Sequence, residues 1–379
     1  MPDYRRLSAI AALVMIGAAP PAPPLARYAM DIATTSGMGA GMMGGGHPSM
    51  GQMVTMMGGG GVVHSLDLRL SPRTGVSPPS SHVAPLGLRV GPLPLLPPEP
   101  TRVERATDYE PPRGRILIYW GCGEHVGAGQ PQIIDIARVR AGGVPPALMA
   151  MSGGMGQSMA GTTGFDDRAA RWPNRRDSRP IPGDGSLIGA HQVQTSLVAP
   201  LGFTLAPGQD FMPSLALREA GAVPSGAARL AWTMAPQATG YALGLFGAAD
   251  EGGDLIFWSS AKMANRFPDM NFVAPAEVRR LIAAGVVLPA STSECLLPAE
   301  VARVAPNGLV TMIGYGPELG FAEAPRFPKW TARLRFKSVA TMIRGLSDAG
   351  AQNDSEPARP RKRKRFGIGD VLKGVIPQP

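Results

Sequence analysis

Beyond residue 113 the chain is written in short runs of period two. His191, Val193, Thr195 and Leu197 alternate with Gln192, Gln194 and Ser196, the pattern of a half-buried strand. Leu230, Trp232 and Met234 alternate, a PQATG turn follows at 236–240, and Tyr241, Leu243 and Leu245 alternate after it. Gly252-Gly253 then leads into an apolar run at 255–258. Strands at this spacing predict an antiparallel sheet with one buried face. Further strands are expected at 115–120, 132–137, 186–199, 210–218, 309–314 and 330–336. Two short helices begin where proline precedes an Ala-Glu-Val run, at Pro275 and Pro298, and Gly285 stops the first. No long amphipathic helix is legible. The predicted class is mainly β, as two antiparallel sandwich domains. The first spans 114–218 with an insertion at 141–185, and the second, 219–345, carries both helices.

Composition shapes the rest of the chain. Glycine (49) and proline (40) make up nearly a quarter of it, so long stretches should stay open. Residues 36–61 are Gly/Met-rich, and the backbone entropy lost on ordering them exceeds what their side chains can recover. Residues 71–113 are proline-rich and read as an extended spacer. Together these predict a disordered region over 27–113. Ahead of it, Arg5-Arg6 and the apolar run 7–19 read as a signal peptide, too short to span a bilayer, with Ala26 as the best cleavage position. The formal charge of +9 is mostly local. Residues 357–379 contribute +6, which leaves +3 for the other 356. A basic tail, 346–379, therefore follows a nearly neutral body.

One stretch looks like chemistry. GRILIYWGCGEHVGAG, at 114–129, resembles the strand and Gly-Cys-Gly turn of methyltransferase-like cofactor sites, which would centre an enzyme on 116–129. Three features depart from that pattern. Tyr119 stands where an acid usually lies, the later glycines fall at Gly127 and Gly129, and Pro131 follows at once. A parallel crossover needs about ten residues and a helix, so 130–131 cannot supply one. The expectation is an antiparallel pair of strands, no catalytic residue and no cofactor. Cys122 and His125 lack the third group that would complete a nucleophile or a metal site, and His125 and His191 read as solvated or hydrogen-bonded side chains. Two cysteines in an exported chain favour one disulfide, Cys122–Cys295, over two buried thiols.

Two further segments suggest ligands. His47, Met50, Met53, Met56 and Met57 place soft donors at short spacing, as a periplasmic Cu(I) site would require. A low-complexity linker that merely tolerates methionine explains the same residues. At the C-terminus, Arg359, Arg361, Lys362, Arg363, Lys364 and Arg365 precede Ile368, Val371, Leu372, Val375 and Ile376, which share one helical face. Charge followed by an apolar face suits an anionic membrane surface, and a solvated tail is the alternative. Nucleic acid is disfavoured, because no aromatic platform accompanies the charges.

The words LAWTMAPQATGYALGLF, at 230–246, resemble the early strands of fibronectin type III and other immunoglobulin-like sandwiches, with Trp232 and Tyr241 in the places of their core Trp and Tyr. That resemblance implies an immunoglobulin-like fold for the second domain, the fold expected of the first as well, and speaks to packing, not activity. IYWGCGEH (118–125), LAPGQDF (205–211) and PAEVA (298–302) also resemble a group of bacterial signal-peptide-bearing proteins with no established function. The expected protein is therefore non-enzymatic, periplasmic or secreted, and acts as a binding or structural module of the envelope. Its partner would be a protein, a glycan or an anionic membrane.

Overall fold

Tyr28, Met30 and Ile32 alternate with Ala29, Asp31 and Ala33, and this stretch forms β1 (Ala26–Gly37). Leu66, Leu68 and Leu70 alternate with Asp67 and Arg69 in its neighbour, β2 (Val62–Pro72). The computed structural model describes residues 23–37, 61–97, 114–136, 168–249, 253–264, 266, 269 and 271–345. Within them follow β3 (Ser80–Val83), β4 (Leu93–Leu95), β5 (Arg115–Trp120), β6 (Gln132–Asp135), β7 (Ala170–Trp172), β8 (Gly189–Gln194) and β9 (Leu201–Leu205). Next come β10 (Arg218–Ala222), β11 (Ala228–Ala231), β12 (Gly240–Ala248) and β13 (Leu255–Ser259). The last elements are α1 (Pro275–Ala283), β14 (Leu288–Pro289), β15 (Glu294–Leu297), α2 (Ala299–Val304), β16 (Leu309–Ala322) and β17 (Trp330–Ile343).

One ten-stranded sheet runs β6-β5-β13-β12-β16-β17-β1-β2-β7, with β14 beside β12. It is mixed: β1 lies parallel to β17 and β13 parallel to β5, and its other pairs are antiparallel. Two small antiparallel sheets, β10-β11-β15 and β4-β3-β8-β9, share a hydrophobic core with it. The first meets it where the Trp232 and Tyr241 rings come within 5.6 Å. The second meets it through Tyr28, His82 and Phe203. A separate apolar cluster joins Val278 of α1 to Ala242, Ile313 and Val339. Tyr241 and Ala242 thus belong to different clusters, so β12 is buried on both faces.

The mainly β class and both short helices hold. Gly285, at φ +70°, ends α1 as expected, because the left-handed turn there suits glycine. Other expectations do not hold. The strands assigned to two antiparallel sandwiches, 114–218 and 219–345, meet in one mixed sheet through β5 and β13. The region 27–113, expected to be disordered, supplies β1 to β4, and the insertion 141–185 supplies β7. Apolar alternation buried against a large sheet outweighs the local excess of glycine and proline around these strands. Residues 210–218 form no strand before Arg218. Ala26 is fully buried at the head of β1, and Leu25 N–H donates to Lys329 O at 2.8 Å. A cleavage after Ala26 would therefore cut into the sheet. The signal run itself lies outside the described residues.

Candidate functional site: a clamped loop and the two faces of the first strand

β5 ends in a turn that glycine makes possible, with Gly121 at φ +93° and Gly129 at φ +80°. The Gln130 side chain closes the loop by accepting from Trp120 N–H at 2.8 Å and donating to Trp120 O at 3.0 Å. The chain then enters β6, which pairs antiparallel with β5, and no helix intervenes between Gly121 and Gln132. The loop thus lacks the crossover helix that a cofactor turn feeds.

The loop is fastened elsewhere instead. Cys122 is disulfide-bonded to Cys295 of β15, with Cα atoms 5.4 Å apart and a sequence separation of 173. Gly123 N–H donates to Leu296 O, and Ala299 N–H donates to Glu124 O, both at 3.0 Å. The Glu300 carboxylate receives Val126 N–H at 3.1 Å and faces His125 Nδ1 at 3.0 Å. Hydrogen bonds from its own backbone N–H and from His125 hold that carboxyl below the usual range. His125 is exposed and hydrogen-bonded, as expected. IYWGCGEH and PAEVA, distant in sequence, therefore meet in space. Asp210 of LAPGQDF has a structural task too, accepting from Leu187 N–H and Phe211 N–H at 2.8 Å.

Two groups of buried polar side chains meet on opposite faces of β1. On one face Tyr28 Oη is 2.8 Å from His82 Nδ1, His82 Nε2 is 3.2 Å from His191 Nδ1, and His191 Nε2 is 2.7 Å from Leu187 O. The carbonyl can only accept, so His191 carries its proton on Nε2 and accepts on Nδ1. His82 must then donate from Nε2 and accept Tyr28 O–H on Nδ1. Every group is satisfied with both rings neutral. Phe203 stacks on His191 at 5.0 Å, and all three polar residues are at most 2% exposed. Burial, and then the neighbouring His191, push His82 down to about 3; burial lowers His191 as well. The chain ends on a backbone carbonyl and begins on a buried phenol, so it fixes geometry and delivers no proton to solvent.

This chain has a measurable consequence. The unfolded histidines take up protons below about pH 6.5, whereas the folded ones resist, so stability is complete above that pH and falls as pH drops. His82 alone should cost about 2 kcal/mol between pH 6.5 and 4.5, with His191 adding in the same direction. Urea unfolding at pH 7.5 and 4.5 measures this, and equal stabilities would contradict it.

On the opposite face Arg335 donates from Nε and Nη2 to the two oxygens of Asp31, at 2.8 and 2.7 Å, and from Nη1 to Phe272 O at 2.7 Å. The side chains of this pair are 8% and 2% exposed. Lys337 Nζ lies 4.1 Å from the centre of the Phe272 ring, and burial pushes its amine down to about 8. In register beside them, Asp67 is ion-paired with Arg69, and burial raises the Asp67 carboxyl.

The structure thus joins Cys122 and Cys295. His47, Met50, Met53, Met56 and Met57, and the tail residues Arg359, Arg361, Lys362, Arg363, Lys364, Arg365, Ile368 and Leu372, lie outside the described residues. Tyr28, His82, Asp31 and Arg335 were not singled out by sequence. The one available signal was His191, which sits on the apolar side of an alternating strand and so needs a buried partner. Among the described residues no group of three or more His, Cys, Asp or Glu side chains could hold a metal ion. Fold and site together define a β-sheet scaffold with a disulfide-clamped loop. No protein-family model, curated protein or solved structure matches this chain.

Proposed function

We propose that this is an exported, non-catalytic β scaffold of the cell envelope, periplasmic or secreted, which binds its partner through its surface. The observation that carries this reading is the Cys122–Cys295 bond, since a disulfide persists in oxidising compartments. The polar groups support it as well. The Tyr28–His82–His191 chain and the Asp31–Arg335 pair are held in internal bonds that close on backbone or on each other. His125 is held by Glu300, whose carboxylate lies 3.0 Å from its Nδ1. The expected partner remains a protein, a glycan or an anionic membrane surface.

Subcellular fractionation of the native host, probed with antibody to the folded protein, tests the proposal. The protein should be recovered outside the cytoplasm, in a form lacking most of residues 1–22. Recovery of full-length protein from the cytoplasm would overturn it.

A further inference from the structure

Three loops meet at one end of the large sheet. They are the residues entering β1, the turn that follows β2, and the 323–329 hairpin between β16 and β17. Backbone bonds tie them together: Leu25 N–H and Ala26 N–H donate to Lys329 O at 2.8 and 3.1 Å, and Arg73 N–H donates to Leu25 O at 2.8 Å. Each loop exposes a large apolar side chain, Leu25 at 37%, Val76 at 61% and Phe327 at 72%. Around them stand four exposed cations, Arg27, Arg73, Arg326 and Lys329, and none forms an ion pair with a described residue. Glu323 is the acid of the hairpin, and it accepts Lys329 N–H at 2.9 Å.

We propose that this end of the sheet docks on an anionic lipid bilayer, with Phe327, Val76 and Leu25 entering the interface and the four cations facing the headgroups. Apolar side chains alone would fit several partners. A ring of unopposed cations around them fits a negatively charged surface that is apolar just beneath. Arg73 also donates from Nη1 to Pro23 O at 3.4 Å, which ties the entry of β1 to the turn after β2.

β17 runs parallel to β1, so it carries the chain to the other end of the sheet, about 45 Å away along a fourteen-residue strand, where Asn307 and Gly345 lie. The proposal rests on the envelope reading for its biological setting. Its test is independent of compartment.

The oxidised full chain would carry an environment-sensitive fluorophore at T74C, in the turn beside Val76, or at N307C, at the far end. Vesicles of phosphatidylglycerol and phosphatidylcholine with brominated acyl chains quench a probe that reaches the interface. The T74C probe should be quenched several-fold more than the N307C probe, whichever segment brings the chain to the vesicle. R326E/K329E should weaken that contact at least about tenfold, as should pure phosphatidylcholine vesicles. Equal quenching at both positions, quenching at N307C alone, or no quenching at either would overturn the proposal. Failure of fractionation with success here would refute the compartment and leave the surface standing.

Discussion

Replacing Asp31 with alanine should cost about 3–5 kcal/mol of folding stability, the largest loss expected from any single polar side chain in this protein. The Arg335 guanidinium would keep Phe272 O but lose both carboxylate oxygens, while remaining only 8% exposed. A buried cation without its counter-ion costs more than the intact pair contributes, because desolvation is no longer offset. The position magnifies the effect, since β1 is an interior strand hydrogen-bonded to both β2 and β17. Lys337 should respond as well. Asp31 raises its amine against the lowering effect of burial, so in Asp31→Ala that amine should titrate below about 8. Combining Asp31→Ala with Arg335→Met removes the stranded charge and should recover most of the loss. Urea denaturation of the two single variants and the double variant measures the coupling. Additive losses would contradict a direct ion pair.

Removing the disulfide should cost nearly as much by a different route. With a sequence separation of 173 between the cysteines, the chain-entropy model gives up to about 5 kcal/mol for C122S/C295S. The folded geometry should survive. Gly123, Glu124 and Val126 keep their hydrogen bonds to Leu296 O, Ala299 N–H and the Glu300 carboxylate. The loss should therefore appear as a lower denaturation midpoint with an unchanged native far-ultraviolet spectrum. Reduction of the wild type should reproduce it. A midpoint shifted by less than the experimental error in both cases would show that the loop is held by its hydrogen bonds alone.

Where each segment was legible depended on what else its neighbourhood carried. β8 and β12 could be read from their alternation, β13 from its apolar run after Gly252-Gly253, and α1 because proline opens it and Gly285 closes it. β1 and β2 carry equally regular alternation, but they flank a Gly/Met-rich stretch whose composition dominates the local reading. Once apolar sides are buried on both neighbours, that composition has little weight. The partition into two domains failed for a related reason. Parallel partners such as β5 and β13, or β1 and β17, are joined by no short turn, so no local signal announces them. The disulfide was legible because only two cysteines exist. The Tyr28–His82–His191 chain was not, since each member is ordinary alone and only the pairing of β3 with β8, and of their sheet with β1, brings the three together.

The central claim is that this scaffold works in an oxidising compartment, with its glycine-rich loop locked to β15. Native protein, trapped with acid in the intact host, denatured and alkylated before and after reduction, reports this most directly by mass. The account predicts no alkylation before reduction and two alkylated cysteines after it. Two cysteines alkylated without reduction would contradict it.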